Sequence, residues 1–192
     1  MKMNDSVRID MPAWLRGFGE QLPECLETPE LRMAVAISLS RENLRHGSGG
    51  PFGALVVDRQ DGRWLSLGVN RVEPSHCSCA HAEIMALSLA QQRLANWNLA
   101  RTGSGDLELV SSCEPCAMCL GAIPWSGVRS LVCGATKEDA EAAGFDEGDR
   151  PEAWVDKLQA RGIAVTLAVA RHEAAAVLSR YARSGQAIYN PD

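Results

Sequence analysis

Residues 107–134 read LELVSSCEPCAMCLGAIPWSGVRSLVCG and predict a strand, a helix and a second strand in succession. The apolar runs Leu107–Ser112 and Val128–Gly134 have the pattern of strands, and Pro115–Trp125 between them has the pattern of a helix opened by proline. We therefore expect a β-α-β unit that carries Cys116 and Cys119 at the start of its helix.

Upstream of this unit, the sequence predicts two helices and a hairpin. Thr28 is a helix N-cap followed by a proline at the first helical position. The apolar runs Pro51–Asp58 and Arg63–Val69 flank a turn-forming Asp-Gly pair and predict a β-hairpin. His81–Leu94 predicts a second helix, so the order from the hairpin onward is β-β-α-β-α-β.

Downstream, the connection that follows Val128–Gly134 is long enough to hold a helix at Pro151–Arg161 before the apolar run Ile163–Ala170. Such a crossover makes these last two strands parallel. A final helix is expected over His172–Arg183, followed by a tail over residues 186–192.

Composition narrows the classes of function. The 192 residues suit one domain, and 19 Lys and Arg against 24 Asp and Glu give a net charge of −5, unlike the basic surface of a nucleic-acid-binding protein. No apolar run is long enough for a signal peptide or membrane span.

Three of the seven cysteines lie within residues 113–119, a spacing that favours metal binding in a reducing compartment. We expect a cytoplasmic protein with no nucleic-acid or membrane partner.

The chemistry is predicted by His81, Glu83, Cys116 and Cys119. Cysteines three residues apart share one face of a helix, and Pro115 places them in its first turn, where free N–H groups favour thiolates. With His81 they make three protein ligands for Zn²⁺ and leave the fourth tetrahedral position for water, as in a catalytic zinc site. Glu83, two residues after His81, is positioned to serve as general acid and base.

Other interpretations of the cysteines remain open. Cys113 could join Cys116, Cys119 and a histidine in a closed structural zinc site, or the thiols could be buried without metal, although neither interpretation explains Glu83 or the proline-opened helix. Cys77 and Cys79 could also be ligands on spacing alone.

The pattern H-x-E…P-C-x-x-C is the signature of zinc deaminases. From about Leu31 onward the chain resembles guanine deaminases of the bacterial, cytidine-deaminase-like type. The matching blocks are GGPFGA (49–54), GVNRV (68–72), HAE (81–83), SCEPCAMCLGAI (112–123) and AAGFDE (142–147). The resemblance implies a cytidine deaminase-like α/β fold, a three-layer α/β/α sandwich on a five-stranded mixed sheet. It also implies a deaminase domain over residues 29–192 after an N-terminal extension over residues 1–28.

The implied reaction is hydrolysis of guanine, a small nucleobase, to xanthine and ammonia. The resemblance also implies that Asn70 hydrogen-bonds the base, that Phe52 and Trp125 wall the pocket and that the backbone around Ala82 meets the ring. Glu147 becomes a second functional acid, at a position where the family has an aspartate. Asn70 could instead cap a turn, Phe52 and Trp125 could be core, and Glu147 could be a solvated loop acid.

The tail over residues 186–192 contains Ile188 and Tyr189 in an otherwise polar stretch. In the family that the chain resembles, this segment crosses to the partner of a domain-swapped homodimer and covers the active site, which implies that Tyr189 reaches the substrate. The alternative is a tail that packs on its own subunit.

Three competing functions remain. Guanosine or an amino-s-triazine presents a similar amine-bearing ring carbon. A tRNA adenosine deaminase shares the P-C-x-M-C block, but the net charge of −5 argues against a polynucleotide substrate. A zinc-stabilised binding module without catalysis does not explain Glu83.

Overall fold

The computed structural model of the chain describes residues 5–190 and contains a five-stranded sheet. Its strands are β1 (Gly53–Asp58), β2 (Trp64–Val69), β3 (Leu107–Cys113), β4 (Ser130–Ala135) and β5 (Ala164–Thr166). They lie in the order β2-β1-β3-β4-β5. β1 is antiparallel to β2 and β3, whereas β4 is parallel to β3 and β5. The mixed sheet and its parallel last pair are therefore confirmed.

Helices cover both faces of the sheet. They are α1 (Trp14–Glu20), α2 (Pro29–Arg45), α3 (Val72–Ser75), α4 (Ala82–Arg93), α5 (Ala117–Ser126), α6 (Lys137–Ala142), α7 (Trp154–Gln159) and α8 (Arg171–Ala182), with a 3-10 turn at Leu99–Arg101. None of the helices within residues 5–190 is long and apolar enough to cross a membrane.

Alternation along the strands separates two cores. Leu55 and Val57 of β1 pack with α2 and α8 on one face of the sheet. Ala54 and Val56 point to the opposite face and pack with α4, α5 and α7. Successive strand residues face opposite sides, so β1 contributes to both layers. The three-layer α/β/α sandwich is confirmed.

Helix α5 begins two residues later than predicted. Cys116 has extended backbone angles (φ −63°, ψ 171°) and is the N-cap of a helix that starts at Ala117. The expectation that both cysteines lie in the first turn is therefore wrong for Cys116, although Cys119 lies there.

Two downstream elements also differ from the sequence prediction. β5 ends at Thr166, because Ala168 (φ 60°) and Ala170 (φ 49°) adopt left-handed backbone angles that a strand cannot accommodate. Helix α6, which the sequence analysis did not predict, begins with a capping box in which the side chains of Thr136 and Asp139 each accept the other residue's backbone N–H.

The described part of residues 1–28 packs into the domain. Leu15 and Leu26 are buried in the same core as α2, and Trp14 and Phe18 pack against it. The first four residues of the predicted extension lie outside the described residues. Residues 11–28 therefore pack against the rest of the domain, whereas residues 5–10 are mostly exposed.

Candidate active site

The N-termini of α4 and α5 meet at the predicted ligands. His81 is the N-cap of α4 and Cys116 is the N-cap of α5, so the start of each helix projects one candidate ligand. His81 Nδ1 lies 3.5 Å from Cys116 Sγ. Cys119, one turn into α5, completes a group whose three ligand atoms all lie within 4.8 Å of one another.

The spacing of these three atoms fits a zinc ion. Zn–S bonds of about 2.3 Å and Zn–N bonds of about 2.0 Å in a tetrahedron place ligand atoms about 3.3 to 3.8 Å apart. The donor set of one imidazole nitrogen and two sulfurs is one that zinc prefers. Cys113 lies outside the group, since its buried thiol donates to the Thr136 carbonyl at 3.6 Å, and Cys77 and Cys79 lie outside it as well.

Electrostatics at the two sulfurs favour a thiolate. The hydrogen bond from Cys119 and the neighbouring His81 lower the pKa of the Cys116 thiol to about 4. The same hydrogen bond and burial raise the pKa of Cys119 well above its ordinary value. Burial acts to lower the pKa of His81, but Cys116 and Glu83 raise it above its usual value. The site therefore holds negative charge at Cys116, where a cation would bind.

Two buried carboxyl groups lie beside the candidate ligands. Glu83 and Glu147 are each only 6% exposed. Burial raises the pKa of Glu83 to about 7 and the pKa of Glu147 to about 8, and the negative charge of Cys116 is the second largest cause in both cases. The Glu147 backbone is held against α5, because its carbonyl accepts the Ala117 N–H at 2.9 Å. Both carboxyl groups can therefore carry or release a proton near neutral pH.

A cavity of about 540 Å³ opens next to these groups, within the usual range for small-molecule sites. The residues that line it come from six separate parts of the chain: Phe52, Asn70, Val72, Ser78, His81, Glu83, Glu114, Cys116, Ala117, Met118, Phe145, Asp146, Glu147, Gly148, Tyr189 and Asn190. Among the described side chains, Asn70 Nδ2 and Tyr189 Oη are the two buried polar atoms without a hydrogen-bond partner. Both belong to cavity residues, so each is available to a bound molecule.

Asn70 caps a turn, which was one of its two predicted roles, and its hydrogen bond to the base stays a prediction. Its Oδ1 accepts the Val72 N–H at 3.1 Å, which caps the turn after β2, and also the Gly50 N–H at 3.3 Å. Because two N–H groups face Oδ1, the network assigns the unpartnered amide nitrogen to the other side. The turn contact thus leaves the Nδ2 donor free.

Of the predicted pocket walls, Phe52 lines the cavity and Trp125 does not. The Phe52 ring packs edge-on against Phe145, with centroids 4.9 Å apart. Trp125 is 78% exposed and lies beside Trp97 in a different surface depression of the chain, so its place in the pocket wall stays a prediction. Trp125 lies on the face of α5 that turns away from Cys119. Ala82 is fully buried at the first position of α4, and its backbone contact with a ring stays a prediction.

The C-terminal tail lies over the cavity of its own chain. The Tyr189 ring is 5.4 Å from Phe145 and 6.4 Å from His81 between centroids. Asn190 anchors the tail, because its Nδ2 donates to the Gly144 carbonyl at 2.8 Å and its Oδ1 accepts the Asp146 N–H at 3.0 Å. Residues 191 and 192 lie outside the described residues. Tyr189 thus reaches the cavity without a second subunit, which favours the alternative of a tail that packs on its own subunit over the predicted exchange between subunits.

The sequence analysis missed an ion pair behind the site. Arg150 donates to the Glu114 carboxylate at 2.6 Å and to the Pro115 carbonyl at 3.1 Å, and both charged side chains are buried. The guanidinium also lies 4.7 Å from the centre of the Trp154 ring. The burial of Arg150 could not be predicted from the sequence, because Arg150 ends a charged run that resembles a solvated loop.

Similarity to known proteins shows the family to which the chain belongs. The sequence model described as "Cytidine and deoxycytidylate deaminase zinc-binding region" matches residues 26–135, which include all three candidate ligands and Glu83. The chain therefore belongs to this family of zinc-binding deaminases.

Within the family, the chain resembles guanine deaminases along almost its whole length. Guanine deaminase of Bacillus subtilis (strain 168) is 41% identical over 112 residues, which are 58% of this chain and 67% of that protein. A solved structure of guanine deaminase from Nitrosomonas europaea is 48% identical, with a TM-score of 0.89 over 95% of this chain and 100% of the other. A structure of the protein NE0047 with 2,6-diaminopurine is 49% identical, with a TM-score of 0.90 over 98% of each chain.

Proposed function

We propose that the protein is a zinc-dependent aminohydrolase that converts guanine and water to xanthine and ammonia. The observation that carries the proposal is the arrangement of the cavity. It joins a three-ligand group, two buried carboxyl groups and two unpartnered polar atoms, Asn70 Nδ2 and Tyr189 Oη. Relatives with the same fold bear the name guanine deaminase, and similar structures contain 2,6-diaminopurine or 8-azaguanine.

His81, Cys116 and Cys119 would hold the zinc ion. A bound zinc ion lowers the pKa of water, so that water can attack as a nucleophile near neutral pH. The three-residue ligand set favours a catalytic site because it leaves one position of the tetrahedron for that water. The neighbouring thiols Cys113, Cys77 and Cys79 take no part.

The two carboxyl groups move the protons. Glu83 accepts a proton from the attacking water and delivers it to the ring nitrogen next to the attacked carbon. Glu147 supplies a proton to the exocyclic amine as the carbon–nitrogen bond breaks and ammonia leaves. The remaining proton of the added water returns to Glu147 as that oxygen becomes the carbonyl of xanthine. The two glutamates have different roles because Glu83 begins the reaction as the base and Glu147 begins it as the acid.

Asn70 and Tyr189 orient the base. The Asn70 amide nitrogen donates to a ring or carbonyl acceptor, and the Tyr189 hydroxyl satisfies a second polar atom. Phe52 and Phe145 supply apolar wall. The tail excludes bulk water from the reacting groups, which strengthens the electrostatic interactions in the cavity. A tail seated over the cavity also disfavours a polynucleotide substrate.

A substrate panel tests this proposal. Ammonia release should be measured from guanine, guanosine, adenosine in a tRNA anticodon stem and an amino-s-triazine, with zinc content determined on the same protein. Guanine should give the highest kcat/KM with one zinc per chain. Turnover of a triazine or of tRNA in the absence of guanine turnover would contradict the assignment.

A further inference from the structure

Asn70 is held in place by a chain of buried and partly buried hydrogen bonds that begins outside the cavity. The first link is Asn43 on α2, which is fully buried. Its Nδ2 donates to the Gly50 carbonyl at 2.8 Å and to the Asn70 carbonyl at 3.0 Å. Gly50 in turn donates its N–H to Asn70 Oδ1 at 3.3 Å. Asn43 therefore fixes both the backbone of Asn70 and the loop that orients the Asn70 amide.

Ser48 fixes the orientation of Asn43. The Ser48 hydroxyl donates to Asn43 Oδ1 at 2.8 Å. With Oδ1 engaged in this way, the amide nitrogen of Asn43 must face the Gly50 and Asn70 carbonyls. A flipped Asn43 would place its oxygen against two carbonyl oxygens and lose both hydrogen bonds that its amide nitrogen donates.

Trp14 completes the chain from the N-terminal segment, which we define as residues 5–28. Its indole Nε1, which can only donate, gives its hydrogen to Ser48 Oγ at 2.9 Å. Because the Ser48 hydroxyl accepts from Trp14, its own hydrogen is directed to Asn43. The Trp14 ring is also stacked on His46 at 5.4 Å between centroids, with 9° between the planes.

Arg71 provides a second connection between the N-terminal segment and Ser48. It follows Asn70 in sequence, and its guanidinium donates to the Ser48 carbonyl and, at 3.1 Å, to the carbonyl of Asp10 in the N-terminal segment. The N-terminal segment therefore contacts Ser48 directly through Trp14 and indirectly through Arg71.

We propose that the N-terminal segment positions the base-binding side chain of the active site through the relay Trp14–Ser48–Asn43–Asn70. The proposal rests on the proposed function, in which Asn70 binds the nucleobase. Trp14, Ser48 and Asn43 are positioning residues, since Asn70 alone touches the substrate. Much of the segment lies outside the matched family region, residues 26–135, so the relay adds a part to the site that the family motifs do not include.

The relay predicts a specific kinetic effect. Asn70 contacts the base in the ground state and in the transition state alike, so a loosened Asn70 weakens both equally. Loss of such uniform binding raises KM and leaves kcat unchanged. For the equivalent of one hydrogen bond, the increase is about three- to tenfold.

Trp14→Phe is the principal variant, because it removes the indole donor and keeps an aromatic ring against His46. Trp64→Phe is the matched control. Trp64 Nε1 also joins the body of the domain to the N-terminal segment, at the Pro23 carbonyl 3.1 Å away, but it has no part in the relay. Ser48→Ala breaks the relay one link further on. The double variant Trp14→Phe/Ser48→Ala should be no worse than Ser48→Ala alone, because both changes remove the same connection.

Three measurements on the intact zinc-loaded protein decide the proposal: KM and kcat for guanine, the Kd of 8-azaguanine by calorimetry, and amide hydrogen exchange at Gly50 and Val72. Trp14→Phe and Ser48→Ala should raise KM and Kd about three- to tenfold and speed exchange at both amides, with kcat unchanged. Trp64→Phe should change none of these values.

Unchanged KM and Kd in both relay variants, an equal increase in Trp64→Phe, or a fall in kcat at constant KM would each overturn the proposal. Failure of the proposed function would look different, since the wild-type protein would then release no ammonia from guanine. In that case the exchange rates at Gly50 and Val72 still decide whether the relay orients Asn70.

Discussion

At the residue scale, Cys113 and Cys116 are three positions apart but have different surroundings. Cys116 Sγ faces His81, whereas Cys113 is buried at the end of β3 and bonds to the Thr136 carbonyl. We expect Cys116→Ala to reduce zinc from one ion per chain to almost none, and Cys113→Ala to retain it, as measured by metal analysis after gel filtration. Comparable zinc loss in both variants would favour a closed structural site.

Neighbouring acids Asp146 and Glu147 offer a second matched comparison. Both residues line the cavity, but Glu147 is buried, whereas Asp146 is exposed and its carboxylate accepts the Gly148 N–H at 2.8 Å. Glu147→Gln keeps the shape but cannot give up a proton, so kcat should fall about 100-fold or more with zinc content unchanged. Asp146→Asn should retain nearly full kcat. The reverse order would mean that the functional carboxylate is Asp146.

Sequence reasoning at this scale succeeded where the chemistry is local. His81, Glu83, Cys116 and Cys119 lie in two short motifs, and the structure brings them together at two helix N-termini. Phe145, Arg150 and Asn190 were missed, because their contacts depend on segments that are distant in sequence. Trp125 lies outside the cavity of its own chain, because it is on the face of α5 that turns away from Cys119.

At the element scale, the tail and the glycine-rich loop after α2 approach each other closely. A Cβ added at Gly50 would overlap the Tyr189 hydroxyl, so Gly50→Ala must displace the Tyr189 ring. We expect kcat/KM for guanine to fall about 10- to 100-fold, because a shift of about 1 Å misaligns the cavity.

The matched control is Gly121→Ala on the exposed side of α5, where an added Cβ meets nothing within 4 Å. It should keep full activity and the same proteolytic resistance of residues 186–190, whereas Gly50→Ala should be cleaved there faster. Normal activity in Gly50→Ala would show that the Tyr189 position is unimportant for turnover.

Element boundaries show what limits prediction from sequence. The strands and the main helices followed from apolar periodicity and from Thr28 and Pro29 at the start of α2. The length of β5 did not, because the apolar run continues past Thr166 while the backbone turns at Ala168 and Ala170. Helix α6 had a detectable signal, the Thr136-x-x-Asp139 capping box, which the longer apolar patterns on either side obscured.

At the scale of the whole molecule, the arrangement of the tail can be tested by complementation. Tail-deleted protein that lacks residues 186–192 can be mixed with Glu83→Gln protein, which keeps its tail. Because Tyr189 reaches the cavity of its own chain, we expect the mixture to release no more ammonia than the two proteins separately. Activity restored by mixing would establish a homodimer in which tails are exchanged between subunits.

In the proposed function, the zinc-loaded cavity uses Glu83 to move protons while guanine is hydrolysed. The most direct measurement is xanthine formation from guanine by wild-type and Glu83→Gln protein of equal zinc content and equal melting temperature. We predict one xanthine per ammonia from the wild type, and a rate lower by about 100- to 10,000-fold in Glu83→Gln. Wild-type rates in Glu83→Gln, or no xanthine from the zinc-loaded wild type, would contradict the account.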